Sequence, residues 1–239
     1  MNVKSLIKAV LPKNVQGLID YHLFYDKYLH GCGGPLNGQD MRLGIYKSVL
    51  EKLSFDCIVE TGTYRGTSTK FFNESSGLPI YSVEVHPRFY TYSKNRLKDE
   101  KDIHLHLGDS RSFLTNVVMK QIPKDASVFF YLDAHWYNDL PLLEEMRIIK
   151  HWEKALVLVD DFKVPGDDGY SYDDYGPDKQ LTLDYLAPLD KEMPLRKFFP
   201  ANSKDERADT GVTIGCILMT GYEPFAEALT EVPNLWEHS

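Results

Sequence analysis

The chain has 239 residues, 43% of them apolar, and a net charge of −8. That balance supports a sizeable core, and without a basic block it argues against a nucleic-acid partner. No apolar run approaches the roughly 18 residues of a transmembrane span; Cys32, Cys57 and Cys216 are scattered without metal-ligand spacing, and Cys57 and Cys216, in apolar runs, read as buried thiols of a reducing cytoplasm.

Residues 1–40 precede any repeating pattern and read as a helical extension or lid. Met1–Lys13 sets Lys4, Lys8 and Lys13 around Val3, Leu6, Ile7, Val10 and Leu11. That amphipathic pattern fits a helix that packs on the domain, pairs two copies into a homodimer or touches a membrane surface, and it is too short and polar for a signal peptide. An aromatic stretch (Tyr21, Phe24, Tyr25, Tyr28) and a glycine-rich turn, His30–Gly38, follow; the turn reads as a second lid or a linker. Asp40 can cap a helix over Met41–Leu53.

From Phe55 to Phe162, runs of about five apolar residues alternate with helical stretches, the pattern of strand-helix units in a parallel sheet. An acid closes each run: Glu60, Glu84, Asp109, Asp133 and Asp160, at intervals of 24, 25, 24 and 27 residues. Helices are expected at Thr67–Glu74, Arg88–Lys98, Ser110–Lys120 and Leu140–Trp152. An acid after every strand places all five on one edge, outside the carboxyl ends of the strands, where open α/β sheets bind ligands. Beyond Asp161, Pro165–Pro177 is a loop rich in Gly, Asp and Tyr, of a length usually tied to function or disorder. A helix at Lys179–Leu186 and strands at Leu195–Phe199 and Gly211–Thr220 complete the pattern, the two strands as an antiparallel edge pair. The prediction is an α/β, Rossmann-like doubly wound, mostly parallel seven-stranded sheet, with residues 223–239 as a tail.

The first strand leads into Glu60-Thr-Gly62-Thr63-Tyr64-Arg-Gly66-Thr67-Ser68. Its glycines let the backbone turn tightly and approach a ligand, and the following helix N-terminus offers free N–H groups to an anion. A plain strand-to-helix turn would look similar. Glu84 can accept both hydroxyls of a ribose or be a solvated strand-end charge. Asp109 and Ser110 can read an adenine or cap the next helix.

Together these positions resemble the motifs of class I S-adenosylmethionine-dependent methyltransferases. Tyr131-Leu-Asp133-Ala-His135-Trp136, Leu142-Leu-Glu-Glu145 and Leu158-Val-Asp160-Asp161-Phe-Lys163 resemble the metal-dependent catechol O-methyltransferases. Tyr172-Asp-Asp-Tyr175-Gly-Pro and the segment from Asp209 to Cys216 are similar to bacterial enzymes of the macrocin and cephalosporin-cluster type. The resemblance spans roughly residues 55–220 and makes 41–222 the methyltransferase domain. It implies S-adenosylmethionine held by Glu60, Gly62, Thr63, Tyr64, Gly66, Thr67, Ser68, Glu84, Asp109, Ser110, Asp133 and His135. It also implies Mg2+ on Asp133, Asp160 and Asp161, with substrate hydroxyls on the ion; without a metal, Asp133 would orient substrate and the Asp160–Asp161 pair would cap a turn.

The chain departs from the catechol pattern at Ala134, an extra residue, and that family's base lysine has no match, since Tyr137 and Asn138 occupy the region. His135 is then the first candidate base and Lys163 the second, with Asp133 completing the catalytic set. Trp136, Tyr137, Tyr172 and Tyr175 would wall the acceptor, a small-molecule hydroxyl compound such as a sugar or natural product. Two other functions compete: an NAD-binding oxidoreductase, which Glu84 suits but the glycine spacing does not, and a non-catalytic S-adenosylmethionine-binding partner subunit.

Overall fold

The computed structural model describes residues 11–29, 33–135, 139–208 and 210–238. The five apolar runs form β1 (Cys57–Thr61), β2 (Ile80–Glu84), β3 (Ile103–Leu107), β4 (Ser127–Leu132) and β5 (Lys154–Asp160). They pair in parallel in the order β3-β2-β1-β4-β5. Strand order reverses at β1 and β4, which creates the crevice where doubly wound sheets take ligands.

The sheet continues through β7 (Cys216–Thr220), antiparallel to both β5 and β6 (Arg196–Pro200). An eighth strand, β8 (Leu235–His238), pairs antiparallel with β6, so the segment expected as a tail extends the sheet beyond seven strands. At four residues it carries too little alternation to be read as a strand.

Eight helices are described: α1 (Lys13–Leu29), α2 (Asp40–Lys52), α3 (Thr67–Ser76), α4 (Pro87–Arg96), α5, α6 (Leu142–Ile149), α7 (Leu183–Asp190) and α8 (Glu223–Leu229). Helix α5 opens at Ser110–Phe113 and runs through a π segment, Leu114–Val118, into Met119–Gln121. Helix α7 begins four residues later than expected. Leu181 instead pairs its backbone with the preceding loop: its N–H donates to Asp173 O at 3.0 Å and its carbonyl accepts from Lys163 N at 2.8 Å.

Alternation along the strands sorts the core onto two faces. Val59, Phe130, Leu132, Val157 and Val159 face the layer built with α5, α6 and α7. Ile58, Phe129, Tyr131, Leu156 and Leu158 face the layer of α2, α3 and α8. No described helix is long and apolar enough to cross a membrane. Met1–Val10 lie outside the described residues.

Candidate active site

The turn after β1 is built by glycine. Gly62 has φ 92°, and a Cβ there would lie 2.2 Å from the Asp133 carbonyl oxygen. Only glycine lets the β1 turn touch the end of β4. Gly66, at φ 72°, caps α3 in the left-handed conformation. The N–H groups of Gly62 and Thr63 both donate to Val83 O, at 3.0 and 3.1 Å.

Glu84, buried at the end of β2, accepts from Tyr64 N and His86 N, both at 2.7 Å. Burial pushes its carboxyl up to about 7, against the lowering effect of the His86 amide. Each oxygen keeps a lone pair for a further donor. Val85 and Leu107, 68% and 50% exposed, lie on the same edge, a juxtaposition that sequence reading missed. Glu60 turns inward, accepts from the Thr69 and Ser82 hydroxyls, and is likewise pushed up by burial to about 7. Thr63 Oγ1 joins that network through Ser82 at 2.5 Å. Thr67 accepts from Arg96 at 2.8 Å, and Ser68 accepts from Leu36 N at 3.4 Å, so the glycine-rich turn before α2 reaches the start of α3.

Asp109 caps α5 by accepting from the Arg111 and Ser112 amides, and the Arg111 guanidinium holds its carboxyl below the ordinary value. Arg111 also bridges to Asp139 at 2.8 Å. Ser110 is buried beside Glu145, whose carboxyl burial raises and the Ser110 hydroxyl lowers.

The second half of the site centres on His135, which is 6% exposed. Its Nε2 lies 3.4 Å from Asp161, 3.6 Å from Asp173 and 3.9 Å from Asp133. Burial pulls the imidazole pKa down, and the Asp161 hydrogen bond with the neighbouring carboxylates more than reverses this, leaving it raised. Burial, with Asp160 as the first charged neighbour, raises Asp133 and Asp161. Donor atoms of Asp133, His135 and Asp161 lie within 4.8 Å of one another. Asp161 has φ 53°, a conformation that non-glycine residues avoid and that accumulates at functional sites.

Asp160 departs from the expected metal set. Its Oδ1 accepts from Arg42 and from Asp161 N at 2.9 Å; its Oδ2 accepts from Tyr131 Oη at 2.5 Å and Asn37 at 3.1 Å. Four donors saturate a carboxylate, and Arg42 and Asp160 are each 1% exposed. The structure therefore spends Asp160 on a buried ion pair and gathers His135 with Asp133 and Asp161 instead.

The acidic loop folds onto this cluster. Asp173 N donates to Asp161 O at 2.9 Å, and Tyr175 Oη donates to the Asp173 carboxylate. Lys163 is placed with its ammonium 5.1 Å over the Tyr172 ring. Trp136 and Tyr137 lie outside the described residues. Sequence reading took Asp173 as one acid of a loop that could cover the site, without pairing it with His135, and it missed Arg42, which nothing in α2 marked.

No protein-family model and no curated protein matches the chain. Solved structures do. An O-methyltransferase candidate from Klebsiella pneumoniae aligns with TM-score 0.54 at 15% identity, over 92% of this chain and 95% of that one. The Bacillus cereus O-methyltransferase in complex with SAH gives TM-score 0.52 at 15% identity, over 90% and 94%. The O-methyltransferase TomG from Streptomyces achromogenes, involved in tomaymycin synthesis and solved with SAM, gives TM-score 0.52 at 14% identity, over 92% and 95%. At these identities the likeness is one of architecture, and the chain has the class I methyltransferase fold of those structures.

Proposed function

We propose that the protein is a cytoplasmic S-adenosylmethionine-dependent O-methyltransferase acting on a hydroxyl of a sugar or natural-product small molecule. The observation that carries this reading is the contact at Gly62. There the turn that holds a ribose-type acceptor, Glu84, lies directly against the end of β4, two residues before a base, His135.

On this reading Glu84 accepts the ribose hydroxyls, with Val85 and Leu107 offering apolar surface to the adenine. The α3 N-terminus and the Ser68 hydroxyl, which accepts from the Leu36 amide and keeps its own proton to donate, receive the methionine carboxylate. When bound, S-adenosylmethionine supplies an electrophilic methyl carbon, which the acceptor oxygen takes as the C–S bond breaks, leaving S-adenosylhomocysteine. His135 takes the hydroxyl proton on Nδ1, since its Nε2–H donates to Asp161, and Asp161, Asp173 and Asp133 stabilise the imidazolium that forms. The three-donor set of Asp133, His135 and Asp161 fits a divalent cation, which would relieve the crowding that raises the two carboxyls. Carboxylates suit Mg2+, and the imidazole extends the fit to Mn2+ or Zn2+. Such an ion would replace the Nε2 proton, so that His135 would serve as its ligand, and it would lower the pKa of a bound hydroxyl.

Incubation with methyl-labelled S-adenosylmethionine and a panel of polyol, glycoside, phenol and amine acceptors tests this by mass spectrometry. The expected product is a labelled methyl ether, with His135→Ala slowing its formation by about two to four orders of magnitude while binding of S-adenosylhomocysteine persists. Undiminished turnover in His135→Ala would remove the histidine from the chemistry, and transfer to amines alone would contradict an O-methyltransferase.

A further inference from the structure

Arg65 belongs to the cofactor turn, yet it is only 8% exposed. Its guanidinium carbon sits 3.9 Å from the centre of the Tyr28 ring, 4.4 Å from Tyr64 and 5.1 Å from Phe89. Nη1 donates to the Tyr64 hydroxyl, and Nε has no partner. Among the described residues no carboxylate lies within ion-pair distance of Arg65, so aromatic faces do the work that a counter-ion does elsewhere.

The contacts around the cage bear on the cofactor. Tyr64 has φ 47°, a left-handed conformation that costs a non-glycine residue on the order of 1–2 kcal/mol. In that conformation its amide meets Glu84 Oε2 at 2.7 Å. Arg96 of α4 holds the far side of the turn, donating to Arg65 O at 3.1 Å and Thr67 Oγ1 at 2.8 Å.

One wall of the cage, Tyr28, comes from α1. Asp20 fastens that helix to α4 by accepting from Arg88 Nε and Nη2 at 2.6 and 2.8 Å. Gly17 lets the helices close, since a Cβ there would lie 2.3 Å from Arg88 O. A break in helical geometry at Phe24 (φ −133°) precedes Tyr25 and Tyr28. Tyr21, Tyr25 and Tyr28 surround Tyr92 with ring centroids 6.0, 6.3 and 6.2 Å away.

We propose that α1 is a working part of the cofactor site: Tyr28 closes an aromatic cage on Arg65, and the caged Arg65 holds Tyr64 in the conformation that presents its amide to Glu84. Tyr28 and Arg65 are positioning residues, and the inference rests on Glu84 being the ribose acceptor. Coupling of this kind is reciprocal, so a cofactor that uses Glu84 also tightens α1.

The test titrates S-adenosylhomocysteine into the full-length wild type, Tyr28→Phe, Tyr28→Leu and Arg65→Met, with the ligand-free melting temperature of each as a control. Hydrogen exchange of residues 24–29 is followed in the wild type with and without saturating ligand. Tyr28→Phe keeps the ring and should bind within about twofold of wild type. Tyr28→Leu and Arg65→Met should bind roughly tenfold more weakly, the size of one desolvated cation–π contact, and exchange in residues 24–29 should slow on binding. Equal affinity in all four proteins, equal weakening by Phe and Leu, or unchanged exchange would overturn the positioning role while leaving the cofactor reading intact. A wild type that binds no S-adenosylhomocysteine would overturn the cofactor reading and this inference with it.

Discussion

Asp160 and Asp161 are neighbours with opposite fates, one saturated by Arg42, Tyr131, Asn37 and the Asp161 amide, the other turned by a positive φ towards His135. Titration with Mn2+ should show Asp161→Asn weakening binding of the ion by about tenfold or more, at least the loss that follows removal of an outer-shell partner of a metal ligand. Asp160→Asn should keep the affinity within a few-fold but lose about 3–5 kcal/mol of stability, because Arg42 is left as a buried uncompensated charge. The reverse pattern would return Asp160 to the ligand set. The doubled acid was legible in the sequence; its division of labour was not, because the partner that claims Asp160 is on a helix 118 residues earlier. Glu84 yields a second prediction. Ribose hydroxyls donate to the carboxylate form, and burial places the free carboxyl at about 7. Affinity for S-adenosylhomocysteine should therefore fall about tenfold per pH unit below that value, and the slope should vanish in Glu84→Gln.

The turn between β1 and α3 shows how far an element can be read from sequence. Glycines at 62 and 66 announced a tight approach, and the structure supplies the neighbour, the Asp133 carbonyl. Gly62→Ala needs both a strained φ and a displaced β4 end. It should lower the melting temperature and abolish S-adenosylhomocysteine binding, whereas Gly77→Ala, at a similar φ with nothing within 4 Å of its Cβ, should leave binding unchanged. Equal effects from both would remove close approach as the reason. Other elements were less legible. Helix α7 starts late because Leu181 is paired to Asp173 and Lys163, a long-range use of backbone that local propensity does not encode. Strand β8 exists because β6 offers an edge, and its own sequence, Leu-Trp-Glu-His, carries no pattern of its own. The acidic loop is pinned by Asp173 and Tyr175, where composition alone allowed a solvated loop.

Across the whole molecule the parallel sheet was legible because five evenly spaced acids mark five strand ends, and only the antiparallel extension lay beyond that rhythm. Two of these acids, Glu60 and Glu84, shape the pH response. Glu60 and Glu84 are raised from 4.5 to about 7 by burial, so between those values the folded state binds more protons than the unfolded chain. Stability is then fully present at low pH and falls as pH rises through the folded pKa, by about 3 kcal/mol per group at the upper limit. The ligand-free melting temperature should decline from pH 5 to pH 8, with a shallower slope in Glu60→Gln; a rising melting temperature over that interval would contradict the burial of these acids as charged-form penalties. The account as a whole stands on what occupies the edge of β1 and β2. Calorimetric titration of the wild type with S-adenosylhomocysteine and with NAD+ tests it most directly. The predicted result is one-site binding of S-adenosylhomocysteine, lost in Glu84→Ala, with no heat from NAD+; binding of NAD+ without S-adenosylhomocysteine would contradict it.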